Sequence, residues 1–147
     1  DLARPIPLAN PYEAWQREQF LSDDLTDPRK ELLVWGASAD PDRDGVNNLL
    51  EYAQGTDPNS VLRETGMMPV VVGQKIQIVF RVRSDDPALA FTFEATDDLF
   101  FGLWNRDLFE EVGKRVPDPR DHSYQFITME ADLALLPKIF ARLRVSR

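Results

Sequence analysis

Apolar and polar residues alternate along much of the chain after residue 60, and this period of two predicts β-strands. The clearest alternation puts Ile76, Ile78, Phe80 and Val82 on one face of a strand. The other predicted strands are Pro69–Val72, Phe91–Thr96, Phe109–Val116, Tyr124–Met129 and Ile139–Val145. Glycine, proline and aspartate separate these runs, as turns require. The pattern predicts an antiparallel β domain, a small sheet or sandwich, over residues 61–147.

Before residue 60 the apolar residues follow the spacing of short amphipathic helices. The predicted helices run from Asn10-Pro11 to Leu21, from Asp27-Pro28 to Gly36, and from Asn48 to Gln54. Each of the first two begins with a capping residue followed by proline, which favours the first helical position. The second helix would place Leu32, Leu33 and Trp35 on its apolar side. The chain is therefore predicted to be an α+β protein with a helical segment over residues 1–60.

An acidic loop of twelve residues, Asp40–Glu51, joins the second and third predicted helices. Its positions one, three and five are aspartates, position six is glycine, position nine is an amide and position twelve is glutamate. This is the ligand spacing of an EF-hand-type calcium loop. The predicted ligands are the side chains of Asp40, Asp42, Asp44, Asn48 and Glu51, together with the backbone carbonyl of Val46. The sequence predicts one bound calcium ion.

The same loop predicts a solitary structural site and argues against a calcium switch. Position eight, which is usually a branched apolar residue that pairs with a second loop, is Asn47, and no second loop of this spacing occurs in the sequence. Magnesium fits less well, because its small octahedral shell makes poor use of a bidentate Glu51. Asp57 could curl back to add an oxygen ligand, or it could satisfy backbone donors in its own turn.

Composition and charge exclude several classes of protein. The chain has no cysteine, which excludes disulfides and thiolate metal sites. Its net charge is -8, and residues 23–64 hold ten acidic residues against four basic ones. Such an acidic surface repels a phosphate backbone, which argues against nucleic acid as a partner. The longest apolar runs are far shorter than a membrane span.

Catalysis has little support in the sequence, so the chain is predicted not to be an enzyme. His122 is the only histidine, and it belongs to no Ser/His/Asp arrangement. Trp15 and Trp35 are predicted to pack in the core, and Trp104 is the better candidate for an exposed aromatic. Arg142 and Arg144 alternate with Leu143 and Val145 and are predicted to form the solvated or edge face of the last strand.

The segment Ala39–Ala53 resembles the calcium motif near the C-terminus of many exported proteins of planctomycete and verrucomicrobial bacteria. That motif is similar to dockerin loops and to bacterial thrombospondin type 3 repeats. The similarity extends to Tyr12–Trp15, to Gly55–Pro58 and, more loosely, to Phe91–Leu99. Arg43 stands where glycine is common. The resemblance implies an extracytoplasmic module, in the periplasm, at the cell surface or secreted, with no catalytic activity.

The function expected from these features is structural or associative. One calcium ion would stabilise the helical segment, and the β domain would join a protein partner or a larger assembly. The alternative is a carbohydrate-binding accessory module of a secreted polysaccharide-degrading enzyme, in which surface aromatics such as Trp104 would contact a glycan. A dockerin-like docking helix normally needs a duplicated loop, which this sequence lacks.

Overall fold

The computed structural model of the protein describes residues 10–61, 67–135 and 138–147. Its helices are α1 (Pro11–Gln19), α2 (Ser22–Leu25), a 3₁₀ turn (Pro28–Lys30), a π-helical turn (Glu31–Trp35) and α3 (Asn48–Gln54). Its strands are β1 (Met67–Val72), β2 (Lys75–Arg83), β3 (Ala90–Thr96), β4 (Glu110–Glu111), β5 (Val116–Pro117), β6 (Tyr124–Asp132) and β7 (Phe140–Ser146), with a 3₁₀ turn at Leu133–Leu135 before β7. Short helices and antiparallel strands confirm the α+β class. Within these ranges no helix has the length and apolar character that crossing a membrane requires.

The described chain divides into two units. The first consists of residues 10–52 and 57–61, and the second consists of residues 53–56, 67–135 and 138–147. Residues 53–56 therefore group with the strands, although they follow directly on the helical segment. The expected boundary near residue 60 stays a prediction, because residues 62–66 lie outside the described ranges.

Helix α1 begins where the sequence predicts it. The Asn10 side chain accepts a hydrogen bond from the backbone N–H of Tyr12 at 3.1 Å, and Pro11 occupies the first helical position. The side-chain oxygen thereby satisfies one of the backbone donors that a helix start leaves without a partner. The helix ends when Phe20 turns to an extended backbone conformation.

The segment after Pro28 differs from the predicted helix. It is a 3₁₀ turn followed by a π-helical turn, in which the N–H of Gly36 donates to the carbonyl of Glu31 at 2.7 Å. Leu32 and Leu33 are 76% and 73% exposed, so the predicted apolar side is wrong. The reason is geometric: a wider turn changes the angle between successive side chains, and the 3.6-residue spacing no longer applies.

An aromatic cluster forms the centre of the first unit. Trp15 is stacked on Tyr12 and meets Tyr52 and Phe20 edge-on, with ring centroids 5.5–5.9 Å apart. Trp15 is only 5% exposed, which confirms its predicted place in the core. Because Tyr52 belongs to α3, the cluster fixes α3 beside α1. Each aromatic pair adds about 0.5–1.5 kcal/mol beyond the burial of its area.

Two antiparallel sheets build the second unit. The larger has the order β1-β2-β6-β4, with β5 also paired to β6, and the smaller pairs β3 with β7. Phe80 of the larger sheet is stacked on Phe93 of the smaller one, with centroids 5.6 Å apart. The alternation predicted for β2 is confirmed, since Ile78, Phe80 and Val82 are buried.

One predicted strand is wrong as a continuous element. The run Phe109–Val116 forms two short strands, β4 and β5, which pair with β6 at separate places. Gly113 lies between them with a φ of 71°, a left-handed conformation that interrupts an extended strand. The turn at Gly113 therefore divides the predicted strand into two.

Candidate metal centre

Three predicted ligands come together in the acidic loop. Carboxylate oxygens of Asp40, Asp42 and Asp44 all lie within 4.8 Å of one another, and all three residues are half-buried. A group of three carboxylates at this separation could hold a metal ion. This is the arrangement that positions one, three and five of the loop predict.

Backbone N–H groups hold these side chains in place. The N–H of Asp44 donates to Oδ1 of Asp40 and of Asp42, in both cases at 3.2 Å. The N–H of Gly45 donates to Oδ2 of Asp40 at 3.0 Å, and the N–H of Val46 donates to Oδ1 of Asp44 at 2.8 Å. Aspartates readily form such local turns, so the loop is shaped before any ion enters it.

Two loop residues have a left-handed backbone. Gly45 has a φ of 91° and Arg43 has a φ of 62°. Glycine adopts this conformation without a steric penalty, whereas a residue with a Cβ loses roughly 1–2 kcal/mol. The arginine at loop position four is therefore a strained substitute for the glycine that is common there.

The two ends of the loop are joined by backbone hydrogen bonds. The N–H of Asn48 donates to the carbonyl of Ala39 at 2.9 Å, and that of Leu49 donates to the carbonyl of Ala37 at 3.0 Å. The side chain of Asn47 accepts from the N–H of Leu50 at 3.0 Å, which satisfies a donor in the first turn of α3. These bonds return the chain to the point where the loop begins.

Asn48 is fully buried, and hydrogen bonds from its side-chain NH2 group hold it in place. Its Nδ2 donates to the carbonyls of Val34 and Gly36, at 2.8 and 2.9 Å. Its Oδ1 is buried, and no group in the described part of the chain donates a hydrogen bond to it. An amide whose two N–H groups are occupied can offer only its oxygen to a further ligand.

Glu51, in the first turn of α3, is 1% exposed, and its Oε2 has no hydrogen-bond partner among the described residues. Burial, together with the negative charges of the loop aspartates and of Asp57, raises the pKa of Glu51 to about 8. Burial also raises the pKa of Asp42, whose Oδ2 is likewise without a donor. A buried oxygen that accepts no hydrogen bond lowers the stability of the fold. A cation bound to these carboxylate oxygens would provide the favourable interaction that the missing donors do not.

Asp57 has a clear role in its own turn. Its Oδ1 accepts from the N–H of Asn59 at 2.9 Å, its carbonyl accepts from the N–H of Ser60, and the residue is exposed. Of the two roles open from sequence, these bonds favour the turn. Its charge nevertheless contributes to the potential at Glu51.

The sequence pattern did not reveal an ionic cluster around a buried carboxylate on the smaller sheet. Glu94 of β3 is 4% exposed and is paired with Arg142 of β7 at 2.8 Å. The guanidinium of Arg142 lies 3.9 Å from the ring centroid of Trp104. Arg142, whose side chain is 40% exposed, is therefore held by an ion pair and an aromatic ring, which the expected solvated or edge position did not include. Only the β3–β7 register, Glu94 opposite Arg142, reveals the pair.

A second missed feature is an exposed apolar tip, defined here as residues 99–103. Phe100, Phe101 and Leu103 are 88%, 92% and 90% exposed. Hydrogen bonds to Asp98 hold the turn beneath these side chains. Oδ1 of Asp98 accepts from the N–H groups of Phe100 and Phe101, and the N–H of Gly102 donates to the Asp98 carbonyl. A Cβ at Gly102 would lie 2.1 Å from Oγ1 of Thr96, so the turn requires glycine.

No protein-family model matches the chain, and no curated protein matches it in sequence. Fold and site together define an α+β protein with a group of aspartates that could hold a metal ion.

Proposed function

We propose that the loop Asp40–Glu51 binds one calcium ion and that the chain is a non-enzymatic structural or protein-interaction module of an exported bacterial protein. The observation that carries the metal proposal is the burial of the Glu51 carboxylate. A fully buried carboxylate that has an oxygen without a donor, and that is repelled by the charges of three aspartates, is unfavourable in its ionised form unless a cation neutralises it.

The donor set favours calcium among the common metal ions. The side chains of Asp40, Asp42, Asp44, Asn48 and Glu51 and the carbonyl of Val46 would supply only oxygen ligands. Calcium prefers six to eight such ligands in a flexible arrangement, whereas zinc and copper prefer nitrogen or sulfur. A bidentate Glu51 would complete a seven-oxygen shell, which suits calcium better than magnesium.

The ion would stabilise the first unit and take no part in a reaction. Glu51 is followed directly by Tyr52, which packs against Tyr12 and Trp15. Binding at Glu51 would therefore hold α3 to the loop on one side while the aromatic cluster holds it on the other. Isolated loops of extracellular modules bind calcium with dissociation constants of about 0.1–1 mM, which suits an extracytoplasmic setting.

Two exposed apolar surfaces in the second unit support an associative role. The apolar tip presents three large side chains that are about nine-tenths exposed. At the edge of the larger sheet, β1 pairs with β2 alone, and Val70, Val71 and Val72 are exposed. Exposed apolar surfaces of this kind mark sites of interaction with other proteins. An edge strand can also pair with a further strand, here beyond Pro69, which cannot donate a backbone hydrogen bond.

The alternative, a carbohydrate-binding accessory module, is favoured by one specific observation. Phe100 and Phe101 are exposed aromatic rings, and Trp104 follows them in the same loop. A glycan array separates the two functions, because an associative module would give no saturable sugar binding. The variant Phe101→Ser should abolish binding to a partner or a glycan without lowering the melting temperature.

Metal analysis and thermal unfolding test the calcium site. Mass spectrometry should find one calcium per chain, and a chelator should lower the melting temperature by several degrees. Excess calcium should restore it, since a ligand at a hundredfold excess over its Kd adds about 2.7 kcal/mol of stability. Asp42→Asn should remove the effect, and Asp23→Asn, an exposed acid of the same unit, should retain it. Equal melting with and without chelator, and no bound metal, would refute the proposal.

A further inference from the structure

Three arginines surround one buried carboxylate on the outer face of the β3–β7 pair. Glu94 pairs with Arg142 at 2.8 Å, with Arg144 at 3.7 Å and with Arg106 at 3.9 Å. A single negative charge faces three guanidinium groups, so the cluster keeps an excess of two positive charges. The chain as a whole carries -8, so this local excess has the opposite sign.

The three arginines do not have equal roles. The Nε and Nη2 of Arg142 both lie 2.8 Å from Oε2 of Glu94, and its guanidinium is stacked on Trp104. The guanidinium of Arg142 is therefore already occupied by contacts within the protein. Arg144 and Arg106 lie beyond hydrogen-bonding distance of Oε1, and their side chains are 63% and 70% exposed. Their N–H groups remain available to an external acceptor.

These two arginines border a cavity of about 190 Å³, whose lining also includes Glu94, Thr92 and Ser146. At roughly 30 Å³ per water molecule, the cavity has room for a small polyatomic ion and part of its hydration shell. The hydroxyl groups of Thr92 and Ser146 can donate hydrogen bonds, as can both guanidinium groups. The lining therefore supplies many donors, and among the described residues that line the cavity Glu94 is the only one with a carboxylate.

We propose that this cavity binds a tetrahedral oxyanion, a phosphate or sulfate group carried by a ligand or free in solution. The four oxygens of such a group match two arginine forks and two hydroxyls better than the two oxygens of a carboxylate do. Its two negative charges would balance the excess charge of the cluster. The site lies in the second unit and is independent of the proposed calcium loop.

The test is an NMR titration of the full-length chain with inorganic phosphate, followed through the side-chain Nε–Hε signals of its arginines. Phosphate should shift the signals of Arg106 and Arg144 saturably, and sodium chloride at equal ionic strength should not. Arg144→Gln should weaken binding about tenfold or more, as expected from the loss of a charge-assisted hydrogen bond. Sulfate should compete with phosphate.

The control is Lys114→Gln, which removes the same charge from an exposed residue of the same unit. It should leave the phosphate affinity unchanged. A phosphate monoester that binds more tightly than inorganic phosphate would assign the site to a group on a larger ligand, and the reverse order would assign it to the free ion. Shifts that do not saturate, or that weaken equally in Arg144→Gln and Lys114→Gln, would overturn the proposal.

Discussion

Tyr52 of α3 meets Tyr12 of α1 edge-on, with ring centroids 5.0 Å apart, and directly follows Glu51 in the chain. The proposed last ligand of the calcium loop is thus the neighbour of a fully buried core residue. Tyr52→Ala should lower the free energy of unfolding by about 3–5 kcal/mol, the usual cost of removing a buried aromatic ring. It should also weaken calcium binding, because α3 would lose the packing that positions Glu51.

The matched control is Tyr52→Phe, which keeps the ring and its contacts with Tyr12 and Trp15. Chemical denaturation should place it within about 1.5 kcal/mol of the unmodified protein. A calcium titration followed by tryptophan fluorescence should give it a normal affinity. If Tyr52→Ala bound calcium as tightly as Tyr52→Phe, the packing of α3 would have no influence on the loop.

The raised pKa of Glu51 predicts how stability depends on pH in the metal-free protein. The pKa is about 8 in the folded chain, against an ordinary value of 4.5. Between these values the unfolded chain has released the proton while the folded chain keeps it, so the unfolded state binds fewer protons. The free energy of unfolding should therefore fall as pH rises from about 4.5 to about 8 and change little above that.

Calcium should reverse this trend, because the ion selects the ionised carboxylate. Denaturation curves recorded in chelator and in calcium should therefore diverge as the pH is raised. Glu51→Gln, which cannot ionise, should flatten the curve in chelator and remove most of the response to calcium. A flat curve for the unmodified protein in chelator would show that Glu51 does not keep its proton in the fold.

The parts of the fold that sequence predicts are those that local chemistry determines. Asn10 and Pro11 specify the start of α1 by themselves, and the alternation of Ile78, Phe80 and Val82 needs only one buried face. The group of aspartates was predictable for the same reason, since the spacing within the loop brings them together. The calcium assignment itself remains a prediction.

The parts that sequence does not predict depend on contacts between distant residues or on unusual backbone. Leu32 and Leu33 have helical spacing, but a π-helical turn changes the direction of their side chains. Glu94 has the outward position of its strand, yet it is buried by Arg142, which is 48 residues away in the chain. Neither the type of turn nor the strand register can be predicted from the local pattern of apolar and polar residues.

Arg43 offers a test of strain within the proposed calcium loop. Its φ of 62° disfavours any residue with a Cβ, so Arg43→Gly should stabilise the protein by about 1 kcal/mol. Arg43→Ala removes the guanidinium but keeps the Cβ, and it should give no such gain. Denaturation in chelator measures both variants. A similar gain from both would assign the effect to the loss of charge and would rule out backbone strain.

Gly55 and Gly73 form a matched pair of left-handed glycines in the second unit, with φ of 73° and 62°. A Cβ at Gly73 would meet no atom within 4 Å, whereas one at Gly55 would lie 2.2 Å from Nη1 of Arg81 and 2.8 Å from the ring of Tyr124. Arg81 cannot easily yield, because it is stacked on Tyr124 and bonded to Asp118 at 2.8 Å.

Gly73→Ala should therefore cost only the backbone strain, about 1–2 kcal/mol. Gly55→Ala should cost that amount and a further 1–3 kcal/mol, roughly, for the overpacking. The two variants share the same chemical change and the same backbone region, so their difference in denaturation midpoint isolates the steric effect. Equal losses would mean that Arg81 and Tyr124 move aside without cost, and that the end of α3 is not tightly packed against them.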